Sequence, residues 1–106
     1  MEKIKVIKLS DFGKSMGTRE LGNEIRNSVL ASLKDNSQVL FDFLNVDIIS
    51  SAFADELLGK LFNELGEEVF KNKIKINNFS NEEAKKLILL IINKAITFRK
   101  INPSLH

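Results

Sequence analysis

The sequence predicts a small α/β domain: a mostly parallel β-sheet with helices in the order β-α-β-α-β-α. Three observations lead there. Short β-prone segments recur at residues 2–9, 38–43 and 73–77. Between and after them run stretches whose apolar residues repeat every three or four positions, the period of an amphipathic helix. Strands separated by helices of that length pair in parallel through crossovers rather than as hairpins.

The first strand, EKIKVIKL, carries Ile4, Val6, Ile7 and Leu9 with lysines between them, so one of its faces is wetter than the other. SDFGKSMG interrupts it with two glycines and two serines and reads as a loop. From Thr18 to about Lys34, Leu21, Ile25, Val29 and Leu33 recur every fourth residue, predicting a helix capped by Thr18. QVLFDF at 38–43 is apolar apart from its Asp and suits a strand covered on both faces. Leu44 to Ser51 form a connection. A second helix follows from about Ala52 to Leu65, with Phe53, Leu57, Leu58, Leu61 and Phe62 on one side and Gly66 just beyond its end. KIKIN at 73–77 alternates as a strand. Lys71, Lys73 and Lys75 read as the charged face of an edge strand, where like charge suppresses edge-to-edge pairing. Ser80-Asn-Glu-Glu83 reads as a capping box opening a last helix that runs to about Lys100. The stripe Leu87, Ile88, Ile91, Ile92 and Ala95 belongs to the core, and the surplus at Leu89, Leu90 and Ile96 leaves room for a homodimer contact through this C-terminal helix.

Composition narrows the function classes. At 106 residues the chain has the length of a single domain, with 43% hydrophobic and 28% charged residues. Sixteen basic and fourteen acidic side chains leave a formal charge of +2, too balanced to point to nucleic acid or a membrane surface. No cysteine removes thiolate chemistry and disulfides, and a single histidine, His106, removes a His-ligated metal site and a Ser-His-Asp triad. The expectation is a non-enzyme without cofactor or metal. No apolar stretch follows the N-terminal MEKIKVIKLSDFG, and the longest apolar run, Leu87 to Ile92, is six residues against roughly 20 for a bilayer span. A cytoplasmic chain is expected. One proline, Pro103, and no Gly/Ser-rich tract mark no linker.

Two motifs match only in spelling. Gly13-Lys14-Ser15 resembles the end of a phosphate-binding loop, but the glycine needed five positions upstream is Lys8. Asp11-Phe12-Gly13 stands without the other kinase signatures in a chain too short for that fold. Pairing Asp42 with Asp47 or Asp55 as acid and base has no support in spacing.

The informative segment is 39–62, VLFDFLNVDIISSAFADELLGKLF. It places Ser50 and Ser51 beyond the carboxyl end of a strand and at a helix start, where functional groups of open parallel sheets collect. Unpaired N–H groups and the positive dipole end there tolerate a phosphate on serine. Ser50 or Ser51 equally suits a helix cap, with Asp55 and Glu56 complementing the dipole. Gly17-Thr18-Arg19 forms a second candidate, a small-anion or nucleotide site at the start of the first helix.

The same stretch resembles the signature of STAS domains, the fold of anti-sigma-factor antagonists, and more closely a bacterial STAS-like family with a D-F-x-x-V…S-x-F-A-D-E-L motif. Here the motif is Asp42-Phe43, Val46 and Ser51-Ala52-Phe53-Ala54-Asp55-Glu56-Leu57. Gly17-Thr18-Arg19-Glu20, Gly22 and Arg26 ahead of it and Leu61 to Gly66 after it extend the likeness over roughly residues 4–99. In antagonist-type domains an Asp-Ser-Ser/Thr-Gly run follows the signature strand, and its first serine is phosphorylated by a partner kinase. That serine falls on Ser51, with Ser50 as the alternative acceptor; the run's aspartate is replaced by Ser50 and its glycine by Phe53. The resemblance implies a regulatory binding module that contacts a histidine-kinase-like (GHKL) ATPase and is released by phosphorylation. Its expected contact set is Asp42, Asp47, Ser50, Ser51, Phe53, Asp55 and Glu56.

Overall fold

The computed structural model describes residues 3–13 and 15–101. Glu2 of the expected first strand, Lys14, Pro103 and His106 lie outside the described residues. Strand β1 (Ile4–Lys8) leads through a 3-10 turn at Leu9–Phe12 to a two-residue strand β2 (Ser15–Met16) and helix α1 (Arg19–Ser32). Strand β3 (Gln38–Asp42) is followed by a second two-residue strand, β4 (Ile48–Ile49). Helix α2 (Ser51–Ala54), a π-type turn at Asp55–Gly59 and helix α3 (Lys60–Leu65) succeed one another without a break. Helix α4 (Glu67–Lys73), strand β5 (Ile74–Asn77) and helix α5 (Glu82–Ile101) complete the chain.

The three expected strands pair in parallel in the order β1-β3-β5, with β5 at one edge as anticipated. Because the strands advance across the sheet in chain order, crossovers of one hand fall on one face. The register shows the result. Ile7, Phe41 and Ile76 form a row on the covered face, where Phe41 is fully buried. Val6, Leu40 and Lys75 form the neighbouring row on the other face, where Val6 is 45% exposed. The strand at 38–43 is therefore covered on one face, not on both. Phe43, Phe53, Phe62, Leu57, Leu58 and Met16 are fully buried between the sheet and the helices, and Phe43 stacks on Phe79 at 5.2 Å between ring centroids.

Thr18 caps α1 through the Leu21 N–H, 3.2 Å from its hydroxyl, as the spacing predicts. Gly66 takes φ +86°, a left-handed conformation that favours glycine, and separates α3 from α4. Helix α4 is a departure from expectation: Lys71 and Lys73 belong to its last turn, and only Lys75 stands on a strand. Lys71 pairs with Glu67 at 2.8 Å, one turn back. The cap of α5 also differs. Asn81 Oδ1 accepts the Ala84 N–H at 2.8 Å, while the Ser80 hydroxyl donates to the Phe43 carbonyl at 3.2 Å. Among the described residues, no helix is long and apolar enough to cross a membrane, and no group of three or more potential ligands is placed to hold a metal ion.

Candidate functional site

The two-residue strands build the site. Ser15 and Met16 pair in parallel with Ile48 and Ile49, immediately before the starts of α1 and α2. The pairing continues past the strands: the Ser50 N–H donates to the Met16 carbonyl at 2.9 Å and the Ser50 hydroxyl to the Gly17 carbonyl at 3.0 Å. Two helix N-termini are thereby fastened side by side.

Ser50 and Ser51 divide the roles that the sequence left open. The Ser50 hydroxyl accepts the Phe53 N–H at 3.0 Å, so Ser50 is the cap and its oxygen is used both as donor and acceptor. Ser51 is the first helical residue, is exposed, and its hydroxyl makes no hydrogen bond among the described residues. The Asp55 N–H reaches back to the Ser51 carbonyl, stacking the two residues on consecutive turns of one face.

Arg19, at the start of α1, reaches across to this face. Its guanidinium lies 3.3 Å from Asp55 Oδ2 and 3.4 Å from Glu56 Oε1. Glu56 is buried and gathers three cations: Arg26 Nη1 at 3.0 Å, Lys60 Nζ at 3.0 Å and Arg19. Hydrogen bonding to Lys60 and then to Arg26 holds its carboxyl below the usual range, against the opposing effect of desolvation. Arg26 is buried too, and it also engages Asn23 at 2.8 Å, Glu64 at 3.3 Å and the Glu56 backbone carbonyl. The π-type turn, in which the Lys60 N–H reaches the Asp55 carbonyl five residues back, starts where this network meets the helix. Gly22 lets α1 come this close, since a Cβ there would sit 3.0 Å from both the Glu56 Cβ and the Phe53 carbonyl oxygen.

Of the expected contact residues, Ser50, Asp55 and Glu56 are brought together with Ser51 beside them, and Gly17 and Arg19 of the expected anion site join them. Three are placed elsewhere or differently. Phe53 is fully buried, so it is a core residue, not a contact. Asp42 ends β3 as expected, but its carboxylate accepts the Leu44 N–H at 3.0 Å and the Asn78 amide at 3.2 Å, shaping the turns behind the sheet. Asp47 is exposed just before β4, and its backbone carbonyl accepts the Asn81 amide at 3.1 Å. No bond joins Asp42 to Asp55. Thr18 is occupied as a cap and Arg19 by two carboxylates, so the Gly17-Thr18-Arg19 segment forms part of a helix junction. The residue that sequence reasoning passed over as a site component is Arg26. Its signal was a charge set within the apolar face defined by Gly22, Ile25 and Val29.

The family model described as STAS-like domain of unknown function (DUF4325) matches residues 22–84. The chain belongs to this STAS-like family. The matched STAS-like region holds β3, the Ser50-Ser51 helix start, the π-type turn and both members of the Arg26–Glu56 pair, and it begins after Gly17, Thr18 and Arg19. No curated protein and no solved structure matches the chain.

Proposed function

We propose that this STAS-like domain is a regulatory protein-interaction module, controlled by phosphorylation of Ser51 by a GHKL-type ATPase that is also its binding partner. The observation that carries the reading is the division of labour at the helix start. Ser50 is consumed as the cap, and Ser51 presents an exposed hydroxyl that no hydrogen bond restrains among the described residues. Transfer forms the Ser51 Oγ–phosphorus bond and breaks the bond between the γ-phosphorus of ATP and its bridging oxygen. ADP departs, and the hydroxyl proton leaves with it or to solvent. The added charge, roughly −1.5 to −2, faces a partner surface that had packed against a hydroxyl, and Asp55 one turn below adds like charge. The contact set in this reading is Ser51 with Asp55 one turn on and Arg19 paired to it.

Phosphosite mapping of the chain isolated from its native host, with capture of partners on wild-type and Ser51→Asp protein, tests the reading. Phosphate on Ser51 and loss of a captured ATPase with Ser51→Asp are expected. Absence of phosphate from both serines, together with equal capture, overturns the switch. The competing reading, a nucleotide or small-anion site at Gly17-Thr18-Arg19, predicts a melting temperature that climbs with nucleotide concentration. The Thr18 hydroxyl, consumed as the cap of α1, favours the interaction module instead.

A further inference from the structure

We propose that Arg19 is the internal receptor for a phosphate on Ser51, exchanging its contact with Asp55 for the phosphate. The inference rests on the reading that Ser51 is the modified residue and names how the domain itself responds.

Three relationships carry it. First, Ser51 and Asp55 lie on one helix face a single turn apart, tied by the Asp55 N–H to Ser51 carbonyl bond. Residues so spaced have Cβ atoms about 5–6 Å apart. The Arg19 guanidinium, 3.3 Å from Asp55 Oδ2, is therefore already over the face on which a Ser51 phosphate would stand. Second, Arg19 is held from the same side by the chain before it. Gly17, two residues earlier, is bonded to the hydroxyl of Ser50, the residue preceding Ser51. Third, Arg19 is dispensable to its present partners. Its pair with Asp55 is half-exposed on both sides, at 54% and 50%, where ion pairs are weak. Glu56 keeps Lys60 and Arg26, each at 3.0 Å, when Arg19 turns away.

A phosphate dianion is the stronger competitor. It presents more charge than a carboxylate and can take the guanidinium through two parallel hydrogen bonds. Asp55 holds Arg19 only weakly against it, since a single carboxylate carries less charge than the phosphate and its pair with Arg19 is half-exposed to water. Among the described residues, Glu20 stands beside Arg19 in the first turn of α1, and Lys60 is already committed to Glu56. Phosphorylation then changes the contact face twice over, adding a dianion and withdrawing the cation paired with Asp55 among the described residues.

The test uses the 106-residue chain with phosphoserine installed at position 51 during synthesis, so it does not depend on finding the kinase. Phosphorus NMR is followed through a pH titration at low salt. The expected result is a second phosphate pKa lower in the wild type than in Arg19→Ala or Arg19→Gln by about half a unit, roughly a threefold change in the protonation constant. Lys34→Ala removes the same charge in the exposed turn that follows the far end of α1 and should leave the midpoint near the wild-type value. Equal midpoints in wild type and both Arg19 variants overturn the inference, as does an equal shift in Lys34→Ala, which would reduce Arg19 to a contribution through net charge. Either failure leaves phosphorylation of Ser51 standing. A native host that never modifies Ser51 leaves the Arg19 contact standing.

Discussion

Arg26 of α1 donates to both the backbone carbonyl and the carboxylate of Glu56, thirty residues along the chain. This pair joins the two helices that begin at the candidate site, and it does so at the π-type turn. With Lys60 and Arg19 completing the shell, a buried carboxylate is kept charged by its neighbours. The Ser51 helix start is thus positioned by charge pairing beneath it and by the β2–β4 pairing beside it.

Removing one member of that pair should be costly. Arg26→Met leaves Glu56 buried with Lys60 and Arg19 only, and also abandons Glu64 and Asn23. Breaking a buried ion pair costs about 3–5 kcal/mol, and the two remaining cations place this case near about 3 kcal/mol. Urea unfolding of Arg26→Met, Glu56→Gln and the double variant measures it. The double variant should lose clearly less than the sum of the singles, because the partners act as one unit. Additive losses would show that the two residues act separately.

Acid should find the same network. The Glu56 carboxyl is held below its ordinary range by Lys60 and Arg26, so the folded state binds its proton less readily than the unfolded chain. Its contribution to stability is fully present above the unfolded-state pKa and is lost as pH falls through that value toward the lower native one. Between neutral pH and about pH 3, wild-type protein should therefore lose more stability than Glu56→Gln, measured as urea midpoints at successive pH values. Parallel losses would remove Glu56 from the acid response.

The two glycines facing this network should respond with opposite sign. At Gly22 the obstructing atoms are the Phe53 carbonyl oxygen and the Glu56 Cβ, both 3.0 Å from where an added methyl carbon would sit and both fixed to backbone. Gly22→Ala should lose up to about 2 kcal/mol, an overpacking cost of about 1–3 kcal/mol less a gain in helix propensity of about 1. At Gly59 the near atom is Asp55 Oδ1, 2.8 Å away at the end of a side chain that can turn, and Ile91 is in ordinary contact at 3.5 Å. Gly59→Ala should be neutral to slightly stabilising, with the propensity gain of about 1 kcal/mol offset by an exposed Arg19–Asp55 pair worth about 0.2–1. Thermal denaturation of the two variants compares them directly.

The three-strand parallel skeleton was legible because β1, β3 and β5 alternate with helices long enough to show a period. What escaped were elements too short to have one. Strands β2 and β4 are two residues each, and α4 has a single buried anchor, Phe70. Yet β2 and β4 are what bring Gly17 to Ser50, so the neighbourhood of the site depended on the least legible part of the chain. Ser50, Ser51, Asp55 and Glu56 were visible as a helix start, but which serine caps depends on where the helix begins, within one residue. Phe53 misled because its place in the first helical turn beside Asp55 suggested a contact, whereas its place on one face with Leu57 and Leu61 decides its burial.

The serines can be separated by stability alone. Ser50→Ala should cost about 1 kcal/mol, the usual penalty for a lost cap, and it also leaves the Gly17 carbonyl without its donor. Ser51→Ala, at an exposed first helical position, should stay within about 0.5 kcal/mol of wild type. Chemical denaturation of both variants checks this before any partner is known. The reverse order would make Ser51 the structural residue and return Ser50 as the acceptor.

Helix α5 divides its apolar residues between two jobs. Ile88, Ile91 and Ala95 are buried, whereas Leu89, Leu90 and Ile101 are 48%, 51% and 72% exposed. Ile88→Ala and Ile91→Ala should each cost about 2–4 kcal/mol, and Leu90→Glu and Ile101→Glu about 0.5 kcal/mol or less. The outward stripe from Leu90 to Ile101 runs only about 16 Å along the helix. A stripe of that length, set against the roughly 800 Å² per partner of a stable interface, predicts at most weak pairing through α5. Sedimentation velocity should show a coefficient that climbs with concentration for the wild type and stays flat for Leu90→Glu. A wild-type coefficient that is flat over the same range would remove the homodimer and leave α5 as a surface helix.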